Sequence, residues 1–272
     1  MTRNKTLDML YVGFPIAALQ GAEAETNKRA LQAFLTGRHD WRADDQPYRC
    51  DVDHVAVVSQ PVGAMFDFLL TDQGEMLPEK KLLFKKEIGI LGIGMNTVDL
   101  LVVANGAAVP ARTAGANLGV RRLLDLTNPE GLYTLAERDD QLRAGTLDLS
   151  QALPVWGREV TGLIEKKWEQ QFRRFAAIVV VGGGAILLRE TLLKRFNGKA
   201  WIPEDPVFST ARGLYKYALM KQAKAGAAAE VLAFDAGFGN IKLYATGAKL
   251  TYKQLSYRFG ELAFSHRDSN SR

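Results

Sequence analysis

The stretch Val231-Leu-Ala-Phe-Asp-Ala-Gly-Phe-Gly-Asn-Ile-Lys-Leu-Tyr244 decides how the chain is read. Two apolar runs flank Asp-Ala-Gly-Phe-Gly-Asn, the pattern of a β-hairpin. Gly237 and Gly239 supply positive φ or close backbone approach, and Asn240 tolerates the left-handed region. Asp235 enters the turn on the first strand, Phe238 lies inside it, and Lys242 leaves on the second strand. N–H groups bared by two glycines, with a lysine nearby, form an anion nest beside a carboxylate that can hold a hydrated Mg²⁺. The combination suits a nucleoside triphosphate. An Asp-x-Gly hairpin taken alone is an ordinary tight turn, so specificity must come from partners elsewhere.

The first partner is Ile88-Gly-Ile-Leu-Gly-Ile-Gly-Met-Asn-Thr-Val-Asp-Leu-Leu-Val-Val103, again a strand, a glycine-bearing turn and a strand. Two hairpins of one design predict two related domains facing each other across one ligand. The second partner is Ala176-Ala-Ile-Val-Val-Val-Gly-Gly-Gly-Ala-Ile-Leu-Leu188, a buried strand ending in three glycines and then a helix. Backbone in that arrangement can lie against a flat ligand or a phosphate. Three consecutive glycines cost roughly 0.5–1 kcal/mol each relative to alanine in an ordered element, so close packing must repay them.

The remaining segments supply scaffold. Asp8 to Pro15 reads as a strand stopped by Gly13 and Pro15, and Glu23 to Leu35 has helical spacing. Arg38 to Asp53 is charged and reads as loop or short strands. Val55 to Val58 is a short buried strand that runs through Ser59, Gln60 and Pro61 into a helix, with Pro61 at a favoured first position. Thr71 to Lys86 is polar and reads as a connection between domains. Thr113 to Leu126 turns through Gly115 and Gly119 into a helix, and helical spacing recurs over 132–142 and 153–172. A helix containing Ala211, Gly213, Tyr215 and Leu219 precedes Lys221 to Glu230, a small-residue stretch that reads as a tether into the C-terminal hairpin.

Bulk properties set the frame. The 272 residues are 47% hydrophobic, enough for one large or two modest cores. One cysteine, Cys50, excludes an internal disulfide framework, and His39, His54 and His266 offer no metal-ligand spacing. The N-terminus lacks a signal-peptide core, and no apolar run approaches the roughly 20 residues of a membrane span, so a soluble cytoplasmic protein with no membrane association is expected. The net charge of +5 permits an acidic partner but does not by itself imply nucleic-acid binding.

Taken together, the motifs resemble the actin-like ATPase superfamily shared with sugar kinases and heat-shock chaperones, most closely the bacterial plasmid-segregation type (ParM/StbA-like). The family's first phosphate loop, Asp-x-Gly-x-x-Asn-x-Lys, is similar to Asp235, Gly237, Asn240 and Lys242. Its second, Asp-x-Gly-x-x-Thr-x-Asp, is similar to Gly92, Gly94, Thr97 and Asp99, with Met95 and Asn96 inside the turn. Its adenosine loop is similar to Gly182, Gly183 and Gly184, and its water-orienting corner to Gln60-Pro61-Val62-Gly63-Ala64. The resemblance implies an α/β fold of two ribonuclease-H-like domains of the actin and sugar-kinase type around a nucleotide cleft. Residues 1–85 with 215–272 would form a discontinuous first domain, and 86–214 the second.

It further implies ATP or GTP with Mg²⁺ as cofactors. Asp235 would hold the metal through water. The phosphates would be clamped by Gly237, Phe238, Gly239, Asn240 and Lys242 from one side and by Gly94, Met95, Asn96 and Thr97 from the other. Gln60, Asp235 and Asp99 would be the catalytic set. Read without the family, Gln60 is a polar helix-start residue and Asp99 a strand-edge carboxylate. The implied task is nucleotide-dependent self-association into filaments for plasmid segregation, through a centromere-binding adaptor and with DNA contacted only indirectly.

Two departures bear on this. The first phosphate loop follows the closing helix instead of opening the chain, so the order looks circularly permuted. The C-terminal hairpin then either folds back beside the first strand or enters a neighbouring molecule. Only 248–272 and the first eight residues remain for the small subdomain that relatives carry, which bears on polymerisation. The leading aspartate of the second loop is replaced by Gly92. Loss of a group acting mainly in the transition state costs about 10²–10³ in rate and spares ground-state binding, so slow hydrolysis is expected. A scaffold that binds nucleotide without hydrolysing it is the alternative, and a small-molecule kinase is a third reading.

Overall fold

A computed structural model describes residues 3–19, 21–43, 46–226, 231–237, 241–245 and 248–252. In chain order the elements are β1 (Arg3–Phe14), α1 (Ala24–Leu35), β2 (Gly37–Ala43), β3 (Gln46–Ser59) and α2 (Gln60–Leu69). Two 3₁₀ turns, Pro78–Lys80 and Leu83–Lys85, lead to β4 (Ile88–Ile93), β5 (Val98–Ala104), β6 (Ala107–Ala108) and β7 (Ala114–Ala116). Then come α3 (Val120–Leu126), α4 (Leu135–Ala144), α5 (Ala152–Trp168), β8 (Ala177–Val181), α6 (Gly183–Leu187), α7 (Arg189–Phe196) and β9 (Ala200–Trp201). The chain closes with α8 (Ser209–Ala225), β10 (Val231–Ala236), β11 (Ile241–Ala245) and β12 (Ala248–Tyr252). No helix among the described residues is long and apolar enough to cross a membrane.

The chain divides into two compact units, Met1–Lys81 with Phe208–Arg272 and Leu82–Val207. The crossings expected at 85/86 and 214/215 fall at 81/82 and 207/208 instead, the second because all of α8 packs with α2 in the first unit.

Each unit holds one mixed sheet. In the second unit the order is β6-β5-β4-β8-β9: β4, β5 and β6 form an antiparallel meander, and β8 and β9 add in parallel beyond β4. In the first unit the order is β12-β11-β10-β1-β3-β2. There β10, β11 and β12 form the antiparallel meander, and β1 and β3 add in parallel beyond β10. Five strands therefore repeat the same spatial order and directions. In the second unit the meander comes first in the chain, and in the first unit it comes last. The internal similarity, legible in sequence only as two hairpins, extends to whole sheets.

Strand periodicity builds the first unit. Leu10 and Val12 point to one face of β1, packing with Val52 and Val55 of β3 and with Leu31 and Leu35 of α1. Tyr11 points to the other face and meets Leu214, Tyr215 and Ala218 of α8 together with Val231 and Ala233 of β10. In the second unit β4, β5 and β8 are buried along nearly their whole length, as expected for strands covered on both faces. Trp156, Val160, Ile164 and Trp168 recur at helical spacing on α5 and cover one face of that sheet.

Three expectations change. The charged stretch 38–53 is a long hairpin of β2 and β3, in register from Gly37–Val52 to Ala43–Gln46, stabilised on its exposed face by cross-strand pairs Arg38–Asp51 and Arg49–Asp40. Residues 221–225 of the expected tether belong to α8: lysine, glutamine and alanine favour helix, and Gly226 ends it with φ +67°. Gly13 does not stop β1, which continues to Phe14. Residues 227–230 of the tether and most of the C-terminal segment lie outside the described residues.

Candidate nucleotide site

In the first unit, β1, β3 and β10 run parallel and deliver three positions to one end of the sheet. Asp235 of β10 lies in register with Gly13 of β1, and Gly13 with Val58 of β3. Immediately after β3, α2 begins at Gln60. Gln60 Nε2 donates to Asp235 Oδ1 at 2.6 Å, joining positions 175 residues apart. Across the hairpin, Lys242 of β11 is the register partner of Asp235, and its Nζ donates to Asp235 Oδ2 at 3.0 Å. Asp235 is only 3% exposed.

A carboxylate so buried needs charge-assisted partners, and it has one on each oxygen. An ionised carboxylate only accepts, so Gln60 must present its N–H₂ to Asp235, which leaves the Gln60 carbonyl oxygen as an acceptor for a further donor such as water. Gly237 N–H donates back to Asp235 O at 3.0 Å, which begins the turn. Phe238, Gly239 and Asn240, assigned to the phosphate clamp by resemblance, lie outside the described residues.

In the second unit, the turn between β4 and β5 is held by its carbonyls. Gly94 N–H donates to Thr97 O at 2.9 Å. The first N–H groups around the start of α3 then take the others: Gly119 to Asn96 O at 3.0 Å, Val120 to Gly94 O at 3.0 Å and Arg121 to Met95 O at 2.7 Å. A Cβ on Gly119 would fall 2.4 Å from Met95 O, so only glycine allows this docking. With the carbonyls turned to α3, no backbone hydrogen bond engages the N–H groups of Met95, Asn96 and Thr97 among the described residues. Such a row of N–H groups is suited to anion oxygens. Thr97 Oγ1 donates to Asp99 Oδ2 at 3.1 Å, and Asp99 is 4% exposed.

The three glycines after β8 divide by role. Gly182 has φ +91° and its added Cβ would lie 2.3 Å from Ile93 O, while a Cβ on Gly184 would lie 2.1 Å from Ile93 Cγ2 and 3.1 Å from Trp156. Both are demanded by packing against the end of β4. Gly183 has nothing within 4 Å of an added Cβ. Trp156 ties the two turns together, since its Nε1 donates to Leu118 O at 2.8 Å just before Gly119.

No protein-family model and no curated protein matches the sequence. Solved structures do. Alp7A, an actin-like protein, superposes with a TM-score of 0.67 at 12% identity, covering 82% of this chain and 70% of its own. A fifteen-stranded ParM filament from Clostridium botulinum gives a TM-score of 0.59 at 16% identity, over 78% of this chain and 66% of that one. The chain has the actin-like fold. An archaeal actin homologue, Ta0583, in complex with ADP agrees, with a TM-score of 0.60 at 14% identity over 77% and 72% of the two chains.

Within this actin-like chain the residues fit a metal–nucleotide. The described residues contain no group of three or more acidic, cysteine or histidine side chains able to cage a metal alone. Asp235 uses two of its roughly four lone-pair directions on Gln60 and Lys242 and keeps others that could accept from the water shell of a hydrated ion. Asn96 Oδ1 is buried with no hydrogen-bond partner among the described residues, a polar atom that a bound donor would satisfy. Gly92 is the register partner of Asp99, as Asp235 is of Lys242. The second turn thus has its carboxylate on the departing strand, where the first has its lysine.

The sequence reading missed Gly13 as a spacer. A Cβ there would stand 3.4 Å from both Asp235 Oδ1 and Gln60 Cγ. A glycine inside a strand pattern marks close approach of another group, which was the available signal.

Proposed function

We propose that the chain binds ATP with Mg²⁺ and hydrolyses it slowly. In this reading Gln60, Asp235 and Lys242 are the metal- and phosphate-binding groups of the first unit, and the 94–97 turn and Gly183 are the nucleotide-binding groups of the second. The observation that carries the reading is the buried Asp235 gripped by Gln60 and Lys242 beside a glycine turn, in a chain of actin-like fold. The ADP complex of Ta0583 supports a nucleotide as ligand.

Bound Mg²⁺ would neutralise charge on the transferring phosphoryl group. Asp235 orients the ion's water shell and, through Nε2, holds the Gln60 amide in one orientation. The Gln60 carbonyl then accepts a hydrogen bond from a water and aligns it for attack, and Lys242 adds a point charge on the β/γ side. The N–H groups of Met95, Asn96 and Thr97 bind phosphate oxygens. Self-association into filaments is proposed from the ParM filament, with an adaptor protein linking filament to DNA. We read the chain order as a circular permutation, because the meander of the first sheet comes last and that of the second comes first.

Gly92 favours a second reading, a non-hydrolysing scaffold that nucleotide merely stabilises. Phosphate release measured together with light scattering separates the two. Scattering that rises with ATP and falls as phosphate appears supports the filament-forming ATPase, and thermal stabilisation by ATP without either signal leaves the scaffold. Transfer of phosphate to a small acceptor would instead make it a kinase. In all cases Asp235→Asn should abolish the Mg²⁺-dependent part of nucleotide stabilisation, and an unchanged stabilisation would remove Asp235 from the site.

A further inference from the structure

Beneath Gln60 the helix it begins is fastened by a buried ionic cluster. Asp67, with its side chain 1% exposed, accepts from Ser209 Oγ at 2.6 Å and from Arg212 through Nε at 2.7 Å and Nη2 at 2.6 Å. Lys216 Nζ stands 3.1 Å from the other side of the same carboxylate. Lys216 also donates to Leu70 O at 3.2 Å, and Lys80 donates to Phe68 O, so lysines from two segments cap the carbonyl end of α2.

One turn toward the start of α2, two glycines bring the backbones of α2 and α8 together, with the Leu214 side chain beside them, 2.9 Å from where a Cβ on Gly63 would lie. A Cβ on Gly213 would lie 1.8 Å from Gly63 O, and one on Gly63 would lie 2.7 Å from Thr210 O. A glycine-on-glycine crossing sets how close two helices come but contributes no side-chain hydrogen bond of its own. The directional polar contacts that index α2 on α8 are those of Asp67 with the forked Arg212 and with Ser209, next to the crossing, since a Cβ on Gly213 would also lie 2.6 Å from Asp67 N. Gln60 and Asp67 are seven residues apart, two turns of one helix, so their axial positions move together.

We propose that Asp67, with Ser209 and Arg212, is a positioning device for Gln60. It holds α2 in the axial register that brings the Gln60 amide onto Asp235. A slip of one residue moves the helix by about 1.5 Å, enough to stretch or misalign the 2.6 Å Gln60–Asp235 bond. The cluster also gathers both chain crossings between the units: Lys80 stands just before the first, at 81/82, and Ser209 just after the second, at 207/208. The inference rests on the proposed role of Gln60 in hydrolysis for its kinetic consequence, but not for its structural one.

The test uses full-length protein labelled with ¹⁵N-glutamine, the Gln60 side-chain amide being the signal that disappears in Gln60→Ala. Ser209→Ala keeps every charge of the cluster, and Arg212→Lys keeps the charge while losing the fork, so both should fold. In both variants the Gln60 amide is expected to lose its protection from solvent exchange and to shift toward its position in Asp235→Asn. ATP hydrolysis should fall about 10- to 100-fold in kcat with KM little changed. An unmoved Gln60 amide in variants whose only change is a lower melting temperature would overturn the proposal. If the wild type hydrolyses no ATP, the proposed activity fails, and the amide signal still decides whether the clamp positions Gln60.

Discussion

Gly13 sits in register with Asp235 across β1 and β10, and a methyl group on it would meet Leu214 Cδ1 at 3.0 Å and both the Asp235 carboxylate and the Gln60 side chain at 3.4 Å. The glycine is thus the floor on which the Gln60–Asp235 bond rests. Its backbone lies outside the left-handed region, so the constraint is space and not conformation.

Gly13→Ala should fold, because the tightest contact is the end of a flexible leucine, which must give by a few tenths of an ångström, and its methyl comes into van der Waals contact with both the Gln60 side chain and the Asp235 carboxylate. Gly13→Val overfills the same space and should cost about 1–3 kcal/mol in stability. Urea melts of both variants alongside phosphate release are the measurement. The expected pattern is a modest stability change with Ala accompanied by a disproportionate loss of hydrolysis. Equal activity in Gly13→Val and wild type would show that the glycine spaces nothing that matters.

Gly92 has ordinary backbone geometry, and an added Cβ would lie 3.8 Å from Asp99 Cβ, ordinary contact. Gly92→Asp should therefore be accommodated. It places a second carboxylate beside the buried Asp99, and two like charges at that distance repel, so the variant without ligand should melt lower than wild type. Divalent metal with nucleotide should reverse the sign, giving the variant a larger ATP·Mg²⁺-dependent shift than wild type and a hydrolysis rate about 10-fold higher or more. Thermal shift with and without Mg²⁺ separates these outcomes, and a variant indifferent to metal would mean the second turn takes no part in holding it.

How much of this was legible in advance follows from the range of the interactions. The glycine turns at Gly237, Gly94 and Gly182 mark themselves within a few residues, because local backbone demands are written locally. The fold class followed from the family resemblance that these turns carry. What stayed hidden depends on partners distant in sequence. Asp67 is an acidic residue in an apolar helix until Ser209, Arg212 and Lys216 arrive roughly 140 residues later in the chain. Gly213 looks like a weak point in a helix until Gly63 is laid against it. The tether was misread for a simpler reason: a stretch rich in small residues, with lysine and glutamine among the alanines, is also good helix, and α8 was long enough to absorb its first half.

Acid should loosen the second turn through its support. Arg122 of α3 holds Glu159 of α5 by two hydrogen bonds, Nε to Oε2 at 2.9 Å and Nη2 to Oε1 at 2.7 Å, and these keep the Glu159 carboxyl below its ordinary value of 4.5. Because the folded value is depressed, the pair's contribution is complete above about pH 4.5 and is lost as pH falls through the lower folded value. Both side chains are partly exposed, so the contribution is small, on the order of 0.5 kcal/mol. Glu159→Gln should lower the melting temperature slightly at pH 7 and not at pH 3. A difference that persists undiminished at pH 3 would assign the effect to packing instead of charge.

The three glycines after β8 provide the sharpest contrast, because packing and ligand predict opposite signs there. Gly182→Ala forces a side chain onto φ +91° and into Ile93 O at 2.3 Å, and Gly184→Ala drives a methyl to 2.1 Å from Ile93 Cγ2. Each should destabilise the protein by about 2 kcal/mol or more, whatever is bound. Gly183 opens α6 and has nothing within 4 Å of an added Cβ. Alanine there removes conformational freedom from the unfolded chain and favours helix, so Gly183→Ala should raise the melting temperature of the ligand-free protein, by the equivalent of about 0.4–1 kcal/mol. If a nucleotide lies against this backbone, the same methyl group stands in its way. The variant should then gain stability alone and lose roughly tenfold in ATP affinity. Isothermal titration on a protein already shown to be more stable reads the second effect free of the first, and a Gly183→Ala protein that binds ATP as well as wild type would place the adenosine elsewhere.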